Sequence, residues 1–385
     1  MPRHTILIAL LAAALAGGCG GEDEDVGGET PAPRGPSSTY HLAPDGDDSD
    51  PGTSRRPWRS LDHALEELRP GDRVLLAAGT YGERGTKTDV ESGGAPGAPI
   101  TITGAPGEPR PRVLGHVEVS ADHVRLSRID FDGPTGPVKP RVPDNPKGEQ
   151  VLVAIEGDDV EIVDSIVRGG RWHAGIYLSD AERARVVGNC IEDNGDRDPA
   201  VAEFQANLSH GIYWSSGSGL IANNLIAGNV ARGVQLYESP HDVTVAHNTI
   251  VGNGRAGIQF GADTADSVAV GNVVAFNGDT GVRTASLDGS GNRALENLAW
   301  ANAGGDFEAD DDGLELEGNL VADPRFVDPP ADWRPGPASP ALDRVPGAPP
   351  LPRDIAGLSR PQGRGSDLGA YERPTSGERR SRPVC

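Results

Sequence analysis

The chain has 385 residues, with 57 acidic against 35 Lys and Arg side chains and a formal net charge of −22. That charge excludes a nucleic-acid binder held by phosphate attraction, and it repels an acidic polysaccharide unless cations or a local basic patch intervene. Aromatic residues make up only 4%, while Gly and Pro number 53 and 33, which suits many short strands and turns better than a helical bundle.

The N-terminus reads "MPRHTILIALLAAALAGGCG". Arg3 gives a positive start, and the apolar run over 5–16 is too short to span a bilayer, so residues 1–18 read as a signal peptide. "LAGGC" resembles the bacterial lipobox. The resemblance implies that Cys19 is cut free, lipidated and anchored to the cell envelope. Ala16 stands where Leu is commoner, and a plain secreted protein is the alternative. Residues 19–39 form an acidic, Pro-rich tether with no core to bury.

Residues 40–99 are expected to form an N-terminal cap and first coil. Ser60 can N-cap a short helix with Leu61, Ala64, Leu65 and Leu68 on one face. Such a helix would cover an otherwise open sheet end. Asp45, Asp47, Asp48 and Asp50 place carboxylates at alternating spacing that suits a structural Ca²⁺ ion.

Residues 100–326 carry a repeat. Asn189 and Asn194, Asn224 and Asn229, Asn248 and Asn253, Asn272 and Asn277, and Asn297 and Asn302 each lie five apart. The first Asn of each pair advances by 35, 24, 24 and 25 residues, and Asn319 follows 22 later. Between pairs, Ile176/Leu178, Ile212/Trp214, Val234/Leu236 and Ile258/Phe260 alternate with polar residues, which reads as strands with one face inward. About 24 residues make one turn of a parallel β-helix, with three strands and three bends. The asparagines are expected at the bends, where Asn tolerates a left-handed backbone, and their stacked amides would link coil to coil. Cys190 shares a column with Leu225, Thr249, Val273, Leu298 and Leu320 and reads as a buried thiol; spacing does not argue for a disulfide to Cys385.

At this point the chain resembles the right-handed parallel β-helix, pectate-lyase-like proteins. The opening carries their marks: Pro51-Gly52-Thr53, Pro57-Trp58, Pro70-Gly71-Asp72 and Gly79-Thr80-Tyr81. "NLVADPRFVDPPADWRPGPASPALD" and "DIAGLSRPQGRGSDLGAYE" resemble a choice-of-anchor segment. Residues 327–372 would then cap the far end, and 373–385 would be a disordered tail. The fold class is therefore all-β, a single-stranded right-handed parallel β-helix of roughly eight coils, capped at both ends and expected to be monomeric.

Two excursions, 133–150 and 195–209, leave corresponding corners, since Ile129–Gly133 and Ile191–Gly195 have equal spacing. They would wall one groove, with Lys139, Arg141 and Lys147 supplying positive charge. If Ile176 and Ile212 point inward, Tyr177 and Tyr213 point outward, and Gln235, Gln259 and Arg283 continue that column. His173, His210, Arg232 and Arg255 lie at its approach. A lyase on a uronic-acid polysaccharide needs a group to neutralise the carboxylate, a base for the C5 proton and an acid for the leaving oxygen. His210 and Tyr213 are the base and acid candidates, supported by Arg232, His173 and Tyr177, with Gln235, Arg255, Gln259 and Arg283 binding substrate. A bound Ca²⁺ could share the neutralising role. The alternatives are a non-catalytic, glycan-binding or structural surface lipoprotein, and a uronan C5-epimerase, whose Asp-Pro-His-Asp motif Ser239-Pro240-His241-Asp242 resembles with Ser for the first Asp. That stretch reads first as a turn.

Overall fold

The computed structural model describes residues 37–133, 151–171, 174–197, 207–309, 313–345, 351–374 and 385. Cys19, Lys139, Arg141, Lys147 and His173 lie outside these residues. Leu61–Glu67 forms the expected helix, with the Ser60 hydroxyl accepting from the His63 N–H. Ala64, Leu65 and Leu68 join Leu42, Trp58 and Val74 at one end of the core.

Each turn lays strands on three faces, and successive turns pair in parallel. Face one includes His116–Val119, Val151–Ile155, Ala174–Leu178, Ile258–Ala262 and Val282–Leu287. Face two begins at Thr39–Leu42 and ends at Leu314–Glu317. In two turns a single strand, His210–Ala222 or Val234–Ala246, continues round the corner, which fuses both faces into an eighteen-stranded sheet. Face three is a separate ten-stranded sheet. Its ten strands mark more turns than the eight read from the sequence. The early turns bury Tyr81, Val113, Phe131 and Val167 but lack the Asn pair, so they carry no visible repeat.

The inward alternation is as read. Ile176, Leu178, Ile212, Trp214, Val234, Leu236, Ile258 and Phe260 are all fully buried. Each such side chain contributes roughly 1.5–3 kcal/mol by leaving water.

Two asparagine ladders run along the corners. Asn253 is representative: its Nδ2 donates to the Ile226 carbonyl and to Asn277 Oδ1, while its own Oδ1 accepts from the backbone N–H and Nδ2 of Asn229. The other ladder runs from Asn189 through Asn224, Asn248, Asn272 and Asn297 to Asn319. One expectation is corrected here. The left-handed residue at each bend is the one before the asparagine: Gly188, Asn223, His247, Gly271 and Glu296 precede one ladder, and Asp193, Gly228, Gly252, Phe276 and Ala301 the other. The ladder asparagines are therefore selected for their amides. The Gly-Ile marks follow from close packing at the same corner, where methyls of Ile226, Ile250 and Val274 come nearest. A Cβ on Gly211, Gly233 or Gly257 would sit 2.8–3.0 Å from the Nδ2 of Asn229, Asn253 or Asn277 and equally close to the next turn's carbonyl.

The C-terminal segment does not match the expected end cap. Residues 351–374 lie along the side of the solenoid, on the outward surface of face three. The Arg360 guanidinium, fully buried, donates to Glu372 at 2.7 Å and to Asn223 Oδ1 at 3.0 Å. Ile355, Ala370 and Tyr371 pack on Leu225, Val251 and Ala275, and Leu368 packs with Val273 and Leu298. The Cys190 column thus points outward and is buried by this segment. Cys190 is also no free thiol: it is disulfide-bonded to Cys385, with Cα atoms 5.7 Å apart.

The four N-terminal aspartates do not form the expected Ca²⁺ site. Asp48 accepts from the N–H groups of Arg59 and Ser60 and from the Ser60 hydroxyl, Asp47 accepts from Ser49, and Asp50 pairs with Arg56. Among the described residues no group of three or more potential ligands converges.

Candidate active site

Strand pairing on face one aligns Glu118, Ala154, Tyr177, Tyr213, Gln235, Gln259, Arg283 and Glu308 in one outward column. Tyr177, Tyr213, Gln235, Gln259 and Arg283 thus share one column, as their alternation with the inward residues implies. The chain re-enters this face at Val151 and at His210 after the two excursions, and both residues align with Ala174 between them. The chain thus re-enters face one at the same level of the strand after each of them.

The Tyr213 ring is buried, edge-to-face with Tyr177 at 5.4 Å and with His210 at 5.5 Å between centroids. Its hydroxyl donates to Glu238 Oε1 at 3.2 Å. Burial and the Glu238 carboxylate push the Tyr213 pKa up, so the hydroxyl keeps its proton near neutrality. Glu238 Oε2 accepts from the Ser215 hydroxyl at 2.8 Å. The sequence reading missed Glu238. It is an extra residue, inserted where the register between His210–Ala222 and Val234–Ala246 shifts after Trp214, and its φ is 82°.

His210 is only 1% exposed, and its Nδ1 accepts from the Arg232 backbone N–H at 3.3 Å. It packs against the Tyr213 ring, away from solvent. The Arg232 side chain donates from Nε to Gln259 Oε1 at 2.8 Å. Burial, with Arg255 and Arg283 nearby, pushes its pKa down to about 10. Arg283 is held by Asp279 at 3.2 Å and Glu308 at 3.7 Å. Among the described residues neither Arg232 nor Arg255 has a carboxylate within ion-pair distance. Gln235 is buried, and its amide oxygen finds no hydrogen-bond partner there.

His241 stands on the same strand, within a second register shift. It contacts Asp242 at 3.1 Å and Glu182 at 3.2 Å, and chiefly the Asp242 hydrogen bond raises its pKa. Two clefts, of about 390 and 380 Å³, lie elsewhere. One is lined by Arg125, Glu161, Arg185 and Arg353, the other by Glu192, Trp333 and Tyr371. Neither touches the column.

Residues 153–321 match the family described as a right handed beta helix region. The chain is similar to the crystal structure of pectate lyase Pel9A, with 15% identity over 88% of this chain and 97% of that one, at a TM-score of 0.64. It is also similar to a glycoside hydrolase, with 9% identity over 74% and 97% and a TM-score of 0.55. The Dettilon tailspike protein matches with 15% identity over 75% and 63%, at a TM-score of 0.52. An uncharacterized protein of Bacillus subtilis, YwoF, is 36% identical over 69 residues, which span 18% of this chain and 14% of that protein. By fold, the chain is a right-handed parallel β-helix repeat protein.

Proposed function

We propose that the protein is an extracytoplasmic, carbohydrate-active β-helix protein, a polysaccharide lyase acting by β-elimination on a uronic-acid glycan. One observation carries this reading. In a chain of net charge −22, Arg232 and Arg255 stand without carboxylate partners among the described residues, on the face that presents Tyr213. A uronate carboxylate would supply the missing counter-charge. Pairing with guanidinium withdraws charge from that carboxylate and makes the C5 proton more acidic. The Tyr213 hydroxyl, held protonated, can protonate the leaving oxygen. Gln235 offers an unused acceptor to a sugar hydroxyl. His210 fixes the Arg232 backbone and the Tyr213 ring, so it acts as a positioning residue. The similarity to a pectate lyase supports the carbohydrate class. Lipidation of Cys19 would hold the protein at the envelope.

The burial of His210 favours one second reading, a non-catalytic surface lipoprotein that binds glycan through the same column. The test is incubation of the mature protein with polyuronates, reading the ultraviolet absorbance of the unsaturated product alongside retention on immobilised glycan. Absorbance that rises, and falls back in Arg232→Ala, supports the lyase. Retention without absorbance supports the binder. Neither signal overturns both.

A further inference from the structure

Glu238 is a carboxylate that accepts from the Tyr213 hydroxyl, and its position is costly. Only a few per cent of non-glycine residues have positive φ. Here it belongs to an inserted residue whose carbonyl is held by the Asp263 N–H of the next turn at 2.7 Å. The insertion turns an exposed carboxylate back over the strand, onto the Tyr213 and Ser215 hydroxyls. Backbone strain of this kind persists when the surrounding structure holds it, and it clusters at functional sites.

We propose that Glu238 and Tyr213 are the base and acid of a syn elimination, and that the substrate is therefore a 4-linked glycan of D-glucuronate or D-mannuronate type. This rests on the lyase reading above. Glu238 takes the proton from C5, the electron pair forms the C4–C5 double bond, and the C4–O4 bond breaks. The Tyr213 proton passes to the departing O4. The phenolate left behind recovers a proton from Glu238 through the hydrogen bond already present, so both groups return to their starting state. The net change is one proton moved from C5 to O4, with no further reactant.

The geometry sets the stereochemistry. Base and acid are hydrogen-bonded to each other, so both approach one face of the sugar ring. In D-glucuronate and D-mannuronate, H5 and O4 lie on the same face. In D-galacturonate and L-guluronate they lie on opposite faces, and no pair 3.2 Å apart can serve both from one side. The insertion thus predicts a substrate unlike pectate, although the fold resembles that of a pectate lyase.

The test uses the full-length mature protein with 4-linked polyglucuronate, polymannuronate, polygalacturonate and polyguluronate. Two readouts are taken, unsaturated product and solvent-deuterium incorporation at C5. The expected result is product from one of the first two polymers and none from the last two. Glu238→Gln should lower kcat by about 10²–10⁴-fold, the usual contribution of a general base, with KM changed little. Tyr213→Phe should fall comparably. Retained turnover in Glu238→Gln overturns the pair and leaves the lyase reading standing. Turnover confined to polygalacturonate or polyguluronate does the same. Deuterium exchange without product, lost in Glu238→Gln, retains Glu238 as base and replaces elimination by epimerisation. No exchange and no product on any polymer overturns both proposals.

Discussion

The outward sides of face one and face three are built on the same coils yet ended differently. On face three the outward columns of the later turns are apolar: Leu225, Val251, Val273, Ala275 and Leu298. They are covered from within the chain by Ile355, Leu368, Ala370 and Tyr371. In the earlier turns the same columns carry Arg112, Asp130, Asp132 and Arg168, joined in the ion pairs Arg112–Asp132 and Arg168–Asp130. Face one, at the same level as the covered region, carries Tyr213, Gln235, Gln259 and Arg283 and receives no cover from the described C-terminal residues. A strand apolar on both sides needs a second layer. A strand polar on its outer side needs no second layer, and on the proposed reading it meets a glycan there. Under the proposal above, one side is a matter of stability and the other a matter of binding.

The largest effect should come from breaking the cover. Arg360→Met leaves Glu372 buried without its partner, which costs about 3–5 kcal/mol. Amide exchange across 351–374 should accelerate, and an apolar dye should bind the uncovered Leu225–Leu298 surface. Glycan binding on face one should not change. If it weakens equally, the two sides are coupled and the contrast fails. Arg360→Met combined with Glu372→Leu should restore most of the protection, since an apolar pair can replace a buried ion pair.

A smaller effect should appear on face one. Arg255→Ala removes a half-buried charge that has no carboxylate partner among the described residues. The melting temperature should stay within a degree or two, while affinity for a polyuronate falls roughly ten- to a hundredfold, the range of one charge-assisted hydrogen bond. Its salt dependence should weaken too. A stability loss without an affinity loss would move Arg255 to the structural side.

The solenoid, its inward columns and the outward polar column were legible because a two-residue period and a 24-residue period both leave marks. Three things were not. The apolar column containing Cys190 looks the same whether it faces the core or a covering segment, and sequence spacing cannot supply the segment's direction. The left-handed residues before each asparagine have no common identity: Gly188, Asn223, His247 and Glu296 share only a backbone angle. The role of Glu238 depends on two inserted residues. Their trace is visible, since Gly211 to Asn224 spans 13 positions and Gly233 to Asn248 spans 15. That difference fits the two register shifts between the strands. Counting it would have pointed to the bulges, though not to the Tyr213 contact.

The smallest expected effect is a cancellation beneath the covering segment. Burial and the Glu372 charge push the Asp367 pKa up to about 6, above its ordinary value near 4. Between those values the folded state holds one proton more than the unfolded, so Asp367 contributes stability that is full below pH 4 and lost as pH rises through 6. His247, which meets the Asp367 carbonyl at 3.1 Å, has the opposite sign. Burial and the Arg360 charge push its pKa down to about 3, so the unfolded state holds the extra proton below its ordinary value near 6.5. Its contribution is full above 6.5 and lost as pH falls toward 3. From pH 4 to 6 the two slopes oppose each other at about 1.4 kcal/mol per pH unit each. Asp354, raised chiefly by burial, adds slightly to the Asp367 side. Amide exchange of residues 351–374 in the native protein should therefore vary little with pH there, once the intrinsic rate is divided out. His247→Gln should make protection fall as pH rises, and Asp367→Asn should make it rise. If both variants stay as flat as the parent, these groups do not titrate with the segment, and its hold on face three is apolar packing alone.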